Sequence, residues 1–189
     1  MTSLLRWLMS AVLLGSTLTS FAAAPPGWQI AGSAPKDYEF STEAPKSPGD
    51  RGSATIASKP GSPEGFATLM QTILAEDYRG SRCRLSGYLK SADAKRAQMW
   101  MRVDSADGHV LAFDNMDSRP ITGTTGWTRY EIVLDVPPES ARIAFGFLLA
   151  QAGKVWASDF SLEKVDAATP TTAQQPILPR KPQNMNFAQ

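Results

Sequence analysis

The sequence predicts an all-β domain in which two antiparallel sheets pack as a sandwich. Fourteen Gly and 14 Pro are spread along the 189 residues, which interrupts long helices but suits short strands joined by turns. From Gly65 onward, apolar and polar residues alternate with a period of two, and turn residues separate seven or eight such segments. A chain of this length forms one ordinary domain with appendages.

The first 24 residues have the pattern of an export signal. Arg6 is followed by an apolar run from Trp7 to Leu14, which is too short to span a bilayer, and then by small residues. Ser20 and Ala22 place small residues at both positions that cleavage requires, so we expect a cut after Ala22. The alternative is a buried N-terminal helix, although no helix cap accompanies the run. The resulting organisation is a signal peptide (1–22), a domain (23–165) and an extended tail rich in Pro, Thr and Gln (166–189). The mature chain is expected to be periplasmic or secreted, without a membrane segment.

The N-terminal part of the domain, from Pro25 to Pro63, is rich in Pro, Gly, Ser and Lys. We interpret it as extended chain with two short strands, near 28–30 and 54–57. The next segment, 66–75, is apolar on both faces, which is compatible with a helix and with a buried strand. Its β-branched residues and the turn that follows it favour a strand.

Two segments in the middle of the chain, 82–90 and 98–104, alternate cleanly between apolar and polar residues. One face of each is expected to contact the core and the other to contact water. The core-facing residues are Cys83, Leu85 and Leu89 in the first segment and Met99, Met101 and Val103 in the second. The water-facing residues are Arg82, Arg84, Ser86 and Lys90 in the first and Trp100, Arg102 and Asp104 in the second.

The C-terminal half continues with strands at 109–113, 127–136, 141–150 and 155–165. The strand at 141–150 is apolar on both faces, so both are expected to be covered. Residues 114–126 are interpreted as a loop, because Asp, Asn, Pro and Gly residues interrupt the alternation there.

The composition excludes several classes of function. With 19 basic and 18 acidic groups the formal net charge is +1, which lacks the excess of cations that nucleic-acid binding uses, so no nucleic-acid partner is expected. The chain has one His and one Cys, so a zinc site of several His and Cys ligands cannot be assembled. Cys83 has no partner for an internal disulfide. We expect neither a cofactor nor a bound metal.

Several segments are similar to a known group of proteins. The segments 78–88, 100–104, 124–134 and 153–156 resemble galactose-binding-like jelly rolls and carbohydrate-binding modules of the family-4/9 type. A narrower likeness, at 113–116, 119–121 and 146–149, is to small jelly-roll proteins labelled transcriptional-regulator-like, some of them fused to AraC-type DNA-binding domains. The resemblance covers residues 27–165 and implies a two-sheet antiparallel jelly-roll sandwich. Because the chain has no helix-turn-helix pattern and begins with an export signal, we expect no regulatory role.

Two features depart from this resemblance. Such jelly rolls often carry paired Asp residues after the Trp of the last strand, whereas this chain has 157–159 as Ala-Ser-Asp, which argues against a structural calcium ion. They also often begin with a strand that contains Asn and Phe, and here a similar segment lies at 184–187. We therefore predict that the tail returns across the domain and inserts Met185 and Phe187 beside the first strand. The alternative is a disordered tail.

The strongest candidate for a ligand site is the face that carries Trp100, Arg102 and Asp104. A flat aromatic ring packs on the apolar face of a pyranose, and Arg and Asp side chains hydrogen-bond to its hydroxyls. Arg82 and Arg84 project from the preceding strand and are expected to lie alongside. In the alternative interpretation, these arginines are neutralised by Asp104 and nearby carboxylates in a cross-strand ladder.

A second group of ligand-binding candidates is Asp114, Asn115 and Arg119. Side-chain oxygens are concentrated in this loop, but the spacing of an EF-hand loop is absent. A turn in which Asp and Asn accept local backbone hydrogen bonds is favoured over a cation site. Trp127 and Trp156 are predicted to be core or rim aromatics.

These observations favour an exported, non-catalytic module that binds a carbohydrate or a similar polyol. The alternative is a structural or protein-interaction jelly roll of the cell envelope, in which the face with Trp and Arg meets a protein partner. An enzyme is least favoured, because the spacing of the carboxylates selects no catalytic pair.

Overall fold

A computed structural model describes residues 24–44, 52–61, 63–173 and Met185. The predicted signal peptide, residues 1–22, lies outside these described residues, as does Phe187. Within the described ranges, no helix is long and apolar enough to cross a membrane.

The described chain forms nine strands, and every strand pair is antiparallel. The strands are Gln29–Gly32 (β1), Tyr38–Glu43 (β2), Ser53–Ser58 (β3), Phe66–Leu74 (β4), Ser81–Ser105 (β5), Val110–Asp114 (β6), Ile121–Val136 (β7), Ser140–Ala150 (β8) and Lys154–Val165 (β9). Two 3-10 turns, Pro35–Asp37 and Glu76–Tyr78, complete the regular elements. The predicted all-β class is confirmed.

The strands form one continuous nine-stranded sheet that folds over at β5, and we call its two layers the first and the second sheet. The first sheet has the order β1-β4-β8-β5-β6, and the second has the order β7-β5-β9-β3-β2. The C-terminal half of β5 pairs with β8 and β6, whereas its N-terminal half pairs with β9 and β7. Sequence reasoning predicted two separate strands here, but the chain forms one strand of 25 residues that passes from one sheet to the other.

The crossing point of β5 lies between Leu89 and Ala97, where its register against β7 shifts three times. Asp93 has a positive φ of 48° there, which lets the strand bend. The turn between β8 and β9 packs against this bend through Gly153. A Cβ at Gly153, whose φ is +122°, would lie 2.4 Å from the Cα of Ala94, so only glycine allows this contact.

One core lies between the two sheets, and the predicted faces of β5 supply much of it. The predicted core-facing side chains of both halves are fully buried: Cys83, Leu85, Leu89, Met99, Met101 and Val103. On β7, Ile132, Leu134 and Val136 are buried, and both faces of β8 are covered as predicted. The core-facing residues of both halves of β5 point into the same core from opposite sides. The remaining residues of the two halves therefore lie on opposite outer surfaces of the sandwich.

Two further strand predictions were wrong. Strand β2 was missed because only Tyr38 is buried and Phe40 is partly buried, so its apolar alternation is short. Strand β7 begins at Ile121, six residues before the predicted start, within the predicted loop. Small hydroxyl side chains support that extension, since Ser91 Oγ donates to the carbonyl of Gly123 at 2.9 Å and lies 2.9 Å from Thr125 Oγ1.

The first residues of the tail lie against the second sheet. Arg82 Nη1 donates to the carbonyls of Ala167 and Thr169, each at 2.6 Å. Thr172 N donates to the carbonyl of Val133 at 2.9 Å, beside the outer edge of β7. Met185 is 75 % exposed, which does not support its predicted insertion. The docking of the tail stays a prediction.

The buried thiol of Cys83 is expected to make the fold sensitive to alkali. Burial raises the pKa of Cys83 to about 11, whereas the thiol of the unfolded chain ionises near its ordinary value. Between these two values only the unfolded state loses the proton, so stability is present below the unfolded pKa and falls as pH rises toward 11. We expect a loss of about 1–2 kcal/mol at pH 10 relative to pH 8, measured by urea unfolding.

Cys83→Ala is the control for this pH dependence. The variant should be less stable than wild type at pH 8, but its stability should fall less between pH 8 and pH 10. Part of the alkaline loss should persist, because burial also raises the pKa of Tyr38. Equal losses in the two proteins would contradict the assignment to Cys83.

Candidate functional site

The predicted site residues of β5 separate onto two surfaces. Arg82 and Arg84 lie on the outer face of the second sheet, whereas Trp100, Arg102 and Asp104 lie on the outer face of the first. The cause is the passage of β5 between the sheets, which the alternation within each half does not reveal. The predicted proximity of the two groups is therefore wrong.

Trp100 is covered, contrary to the exposure predicted for it. Its side chain is only 8 % exposed and packs with Ala144 and Leu148. The neighbouring strand places Gly146 opposite Trp100, so no side chain competes for that space. The indole Nε1 donates to Thr68 Oγ1 at 2.8 Å, and this hydrogen bond is buried. Little ring surface is left for a ligand to stack on.

The predicted arginines are neutralised by neighbouring carboxylates, as the cross-strand ladder interpretation requires. Arg102 Nε lies 2.9 Å from Asp104 Oδ1, and Asp104 is 7 % exposed at its side chain. Arg82 makes two contacts with Asp135, Nε to Oδ1 at 2.7 Å and Nη2 to Oδ2 at 3.0 Å. The hydrogen bonds from Arg82 lower the pKa of Asp135. These ion pairs lie on the surface or at its edge, where such pairs stabilise a fold weakly.

Arg84 contacts two carboxylates of the flanking strands. Its Nε lies 3.4 Å from Glu131 Oε2 on β7, and its Nη1 lies 3.3 Å from Glu163 Oε1 on β9. Glu131 also pairs with Arg129, whose Nη1 is 2.9 Å away. These contacts form a charged ladder across the second sheet.

The loop after β6 forms the turn that the sequence favoured. Asp114 Oδ1 accepts from the backbone N of Met116 at 2.8 Å, and Asn115 Oδ1 accepts from the backbone N of Asp117 at 3.1 Å. Arg119 Nη2 pairs with Asp114 Oδ2 at 2.6 Å. These side chains therefore hold the turn itself. Across the described ranges, no group of three or more His, Cys, Asp or Glu residues could hold a metal ion.

Two tryptophans that were predicted to be core or rim aromatics lie on the outer face of the second sheet. Trp127 is 38 % exposed, and Trp156 is partly buried. Lys90 Nζ lies 5.1 Å from the ring centroid of Trp127 and 4.3 Å from that of Trp156. Lys154 Nζ lies 4.5 Å from the Trp156 centroid. We call these four residues the Trp–Lys cluster.

Strand register assembles this cluster from three strands. Lys90 of β5 is the direct partner of Trp156 on β9. On the other side of β5, Leu89 pairs with Thr128, which places Trp127 of β7 next to Lys90. The outward direction of Lys90 was predicted from the period of two of its strand, whereas Trp127 and Trp156 were expected to be core or rim aromatics. The strand order that makes the three strands neighbours was not predicted.

Polar side chains border the Trp–Lys cluster. Tyr88 is the register partner of Arg129, and both lie two positions along their strands from cluster residues. Arg129 and Glu131 are exposed. Next to Trp156, Thr55 on β3 is 2 % exposed, and its hydroxyl has no hydrogen-bond partner in the described part of the chain. The second sheet therefore presents aromatic rings with hydrogen-bonding groups beside them.

A separate crevice of about 280 Å³ opens between the sheets next to Trp28 and Phe160. The Trp28 ring packs edge-on against Phe145 and Phe160, with centroid distances of 6.2 and 5.6 Å. Because the aromatic rings beside the crevice contact one another, this crevice is less suited to stacking with a ligand than the Trp–Lys cluster is.

Comparison with solved structures identifies the architecture. The chain aligns with the CBM22-1 xylan-binding domain of Paenibacillus barcinonensis Xyn10C at a TM-score of 0.53 and 13 % identity, covering 78 % of this chain and 92 % of that domain. The chain is a jelly-roll β-sandwich. The CBM22-1–GH10 modules of Clostridium thermocellum xylanase 10B align with this jelly roll at a TM-score of 0.52 and 11 % identity, over 75 % of this chain and 27 % of that one. Tailspike protein 4 of bacteriophage CBA120 aligns at a TM-score of 0.55 and 15 % identity, covering 74 % of this chain and 20 % of that one. At these identities the likeness shows the fold alone.

Sequence comparison finds a relative of the jelly roll in a longer protein. The chain is 44 % identical over 148 residues to a Bacillus subtilis (strain 168) protein named "Uncharacterized HTH-type transcriptional regulator YbfP". The match covers 77 % of this chain and 50 % of YbfP, so the chain spans about half the length of that relative. No protein-family model matches the chain.

Proposed function

We propose that this chain is an exported, non-catalytic binding module for a carbohydrate or a similar polyol, and that it binds through the outer face of its second sheet. The observation that carries this proposal is the Trp–Lys cluster. Trp127 is an exposed indole on a sheet surface, and Lys90 separates it from a second indole. Exposed aromatic groups of this kind mark binding surfaces.

The chemistry of this face suits a sugar. The apolar face of a pyranose packs on an indole ring, while fixed polar groups hydrogen-bond to its hydroxyls. Arg129 and Glu131 lie on the same face of β7 as Trp127 and hold each other by an ion pair of 2.9 Å. Paired side chains lose less conformational freedom when a ligand arrives. The outer face of the first sheet is less suitable, because Trp100 is covered.

The comparisons support a ligand-binding role in two ways. The fold is shared with domains that are described as xylan-binding. The relative YbfP is named an HTH-type regulator, but a helix-turn-helix needs two helices, and the regular elements of the described residues here are strands and 3-10 turns. We propose that the half shared with YbfP binds a ligand and that DNA binding belongs to the other half of YbfP.

Loss of glycan binding by Trp127→Ala is the test of this site. A glycan array identifies the sugar, and isothermal titration with that sugar should give binding weakened by about tenfold or more in the variant, because an aromatic anchor is lost. Phe113→Ala is the matched control, since Phe113 is a 45 % exposed aromatic on the outer face of the first sheet. Its affinity should equal that of wild type. Unchanged binding by Trp127→Ala would overturn the site, and an array without any bound glycan would overturn the ligand class.

Export is proposed from the apolar run between Trp7 and Leu14 and the small residues that follow it. Expression of the full chain in a bacterial host, followed by N-terminal sequencing of the extracytoplasmic protein, should give Ala23 as the first residue. A chain that stays in the cytoplasm with residues 1–22 attached would contradict export.

A further inference from the structure

The Trp–Lys cluster carries positive charge that carboxylates of the described residues do not neutralise. Lys90 and Lys154 both place their ammonium groups within 4.5 Å of the Trp156 centroid. Among the described residues, neither ammonium has an ion-pair partner within 4.0 Å. Two like charges are thus held beside one indole ring.

The arginines on the same sheet face differ from these lysines. Arg82, Arg84 and Arg129 are each paired with at least one carboxylate. The remaining positive charge of this face is therefore concentrated at the Trp–Lys cluster. Like charges held close together repel each other, and an anion bound between or beside them relieves that repulsion.

We infer that the ligand of the Trp–Lys cluster is an anionic sugar, with an acidic group that pairs with Lys90 and Lys154 while its ring packs against Trp127 or Trp156. This inference rests on the proposed function and specifies its ligand class. A carboxylate of a uronic acid and a sulfate ester of a sugar both supply the required charge. The indole rings favour a sugar over an inorganic anion, because they offer apolar surface that a bare ion does not use.

The charge of the ligand is tested with two polysaccharides that share one backbone. Isothermal titration of the full chain with polygalacturonate and with fully methyl-esterified polygalacturonan compares a charged and a neutral form of the same chain. We expect the charged form to bind about tenfold tighter or more, and an increase from about 20 to about 200 mM NaCl to weaken its binding. Dextran sulfate in a parallel titration distinguishes sulfate from carboxylate recognition.

Variants of the two lysines then locate the interaction. Lys90→Gln and Lys154→Gln should each weaken binding of the anionic polysaccharide by about fivefold or more, whereas Lys90→Arg should retain most of it because the charge remains. Lys164→Gln is the matched control, since Lys164 is exposed near the opposite end of β9. Thermal unfolding confirms that each variant is folded. A general attraction between a cationic surface and a polyanion would affect all three Gln variants equally, and that result would overturn the inference.

The remaining outcomes separate this inference from the proposed function. If the methyl ester or neutral xylan binds as tightly as either polyanion, and Trp127→Ala still abolishes that binding, then the inferred anionic ligand class is overturned. The proposed carbohydrate site at the Trp–Lys cluster is then retained. If neither the charged polysaccharides nor any neutral glycan binds, both are overturned. Selective binding of either anionic polysaccharide that depends on Lys90 and Lys154 supports both.

Discussion

Replacing Trp100 by alanine is expected to lower the free energy of unfolding by about 3–5 kcal/mol. The indole is 8 % exposed, and its Nε1 makes a buried hydrogen bond of 2.8 Å to Thr68 Oγ1. Alanine would leave a cavity beside Leu148 and remove the donor to that hydroxyl. Urea unfolding followed by circular dichroism measures the change.

Trp127→Ala is the matched control for Trp100→Ala, since both remove an indole from an outer sheet face. Trp127 is 38 % exposed, so its loss should change the free energy of unfolding by only about 1 kcal/mol or less. The two substitutions should therefore have opposite profiles, with stability lost in the first and ligand affinity lost in the second. A Trp100→Ala protein with wild-type stability and no sugar binding would contradict this and restore the face that the sequence first suggested.

Replacing Gly146 by alanine is expected to be comparably severe. A Cβ at this position would lie 2.2 Å from the carbonyl oxygen of Leu69 and 2.9 Å from the Cα of Met70, both on the adjacent strand β4. Backbone atoms cannot move aside as the end of a flexible side chain does, so β4 and β8 would have to separate. We expect a loss of about 3 kcal/mol or more, seen as a lower thermal midpoint or as insoluble protein.

Gly126→Ala is the control for this substitution. Gly126 is also in a strand, but nothing lies within 4 Å of the Cβ that alanine would add. Its thermal midpoint should match that of wild type. Similar midpoints for the two alanine variants would mean that β4 accommodates the added methyl group.

The sequence predicted the faces of individual strands well, because alternation is a local signal. Leu85 and Met101 were assigned to the core, and both are fully buried. The same alternation assigned Trp100 to the outer face, where it lies. Its burial there depends on Gly146 and Leu148 of β8, and the sequence does not say which strand is its neighbour.

The candidate site was less predictable, because the sequence does not say which strands are neighbours. The ion pair of Arg82 with Asp135 joins residues 53 positions apart, and the cluster of Lys90 with Trp127 and Trp156 joins three strands. Arg82 and Lys90 were predicted as outward residues of their strand, whereas Trp127 and Trp156 were predicted to be core or rim aromatics. Their meeting depends on the continuity of β5, which alternation alone divided into two strands.

The position of β9 has a consequence for the order in which the chain becomes a folded protein. β9 lies between β5 and β3, so among the described residues the hairpin of β2 and β3 pairs with the other strands through β9 alone. During synthesis, that hairpin leaves the ribosome early, but it cannot complete its pairing with β9 until Val165 has also left the ribosome. Until then, the unpaired edges of β3 and β5 are open to pairing with other chains. The sandwich therefore closes late, and a chain that stalls before Lys154 is expected to aggregate or be degraded rather than form a smaller stable domain.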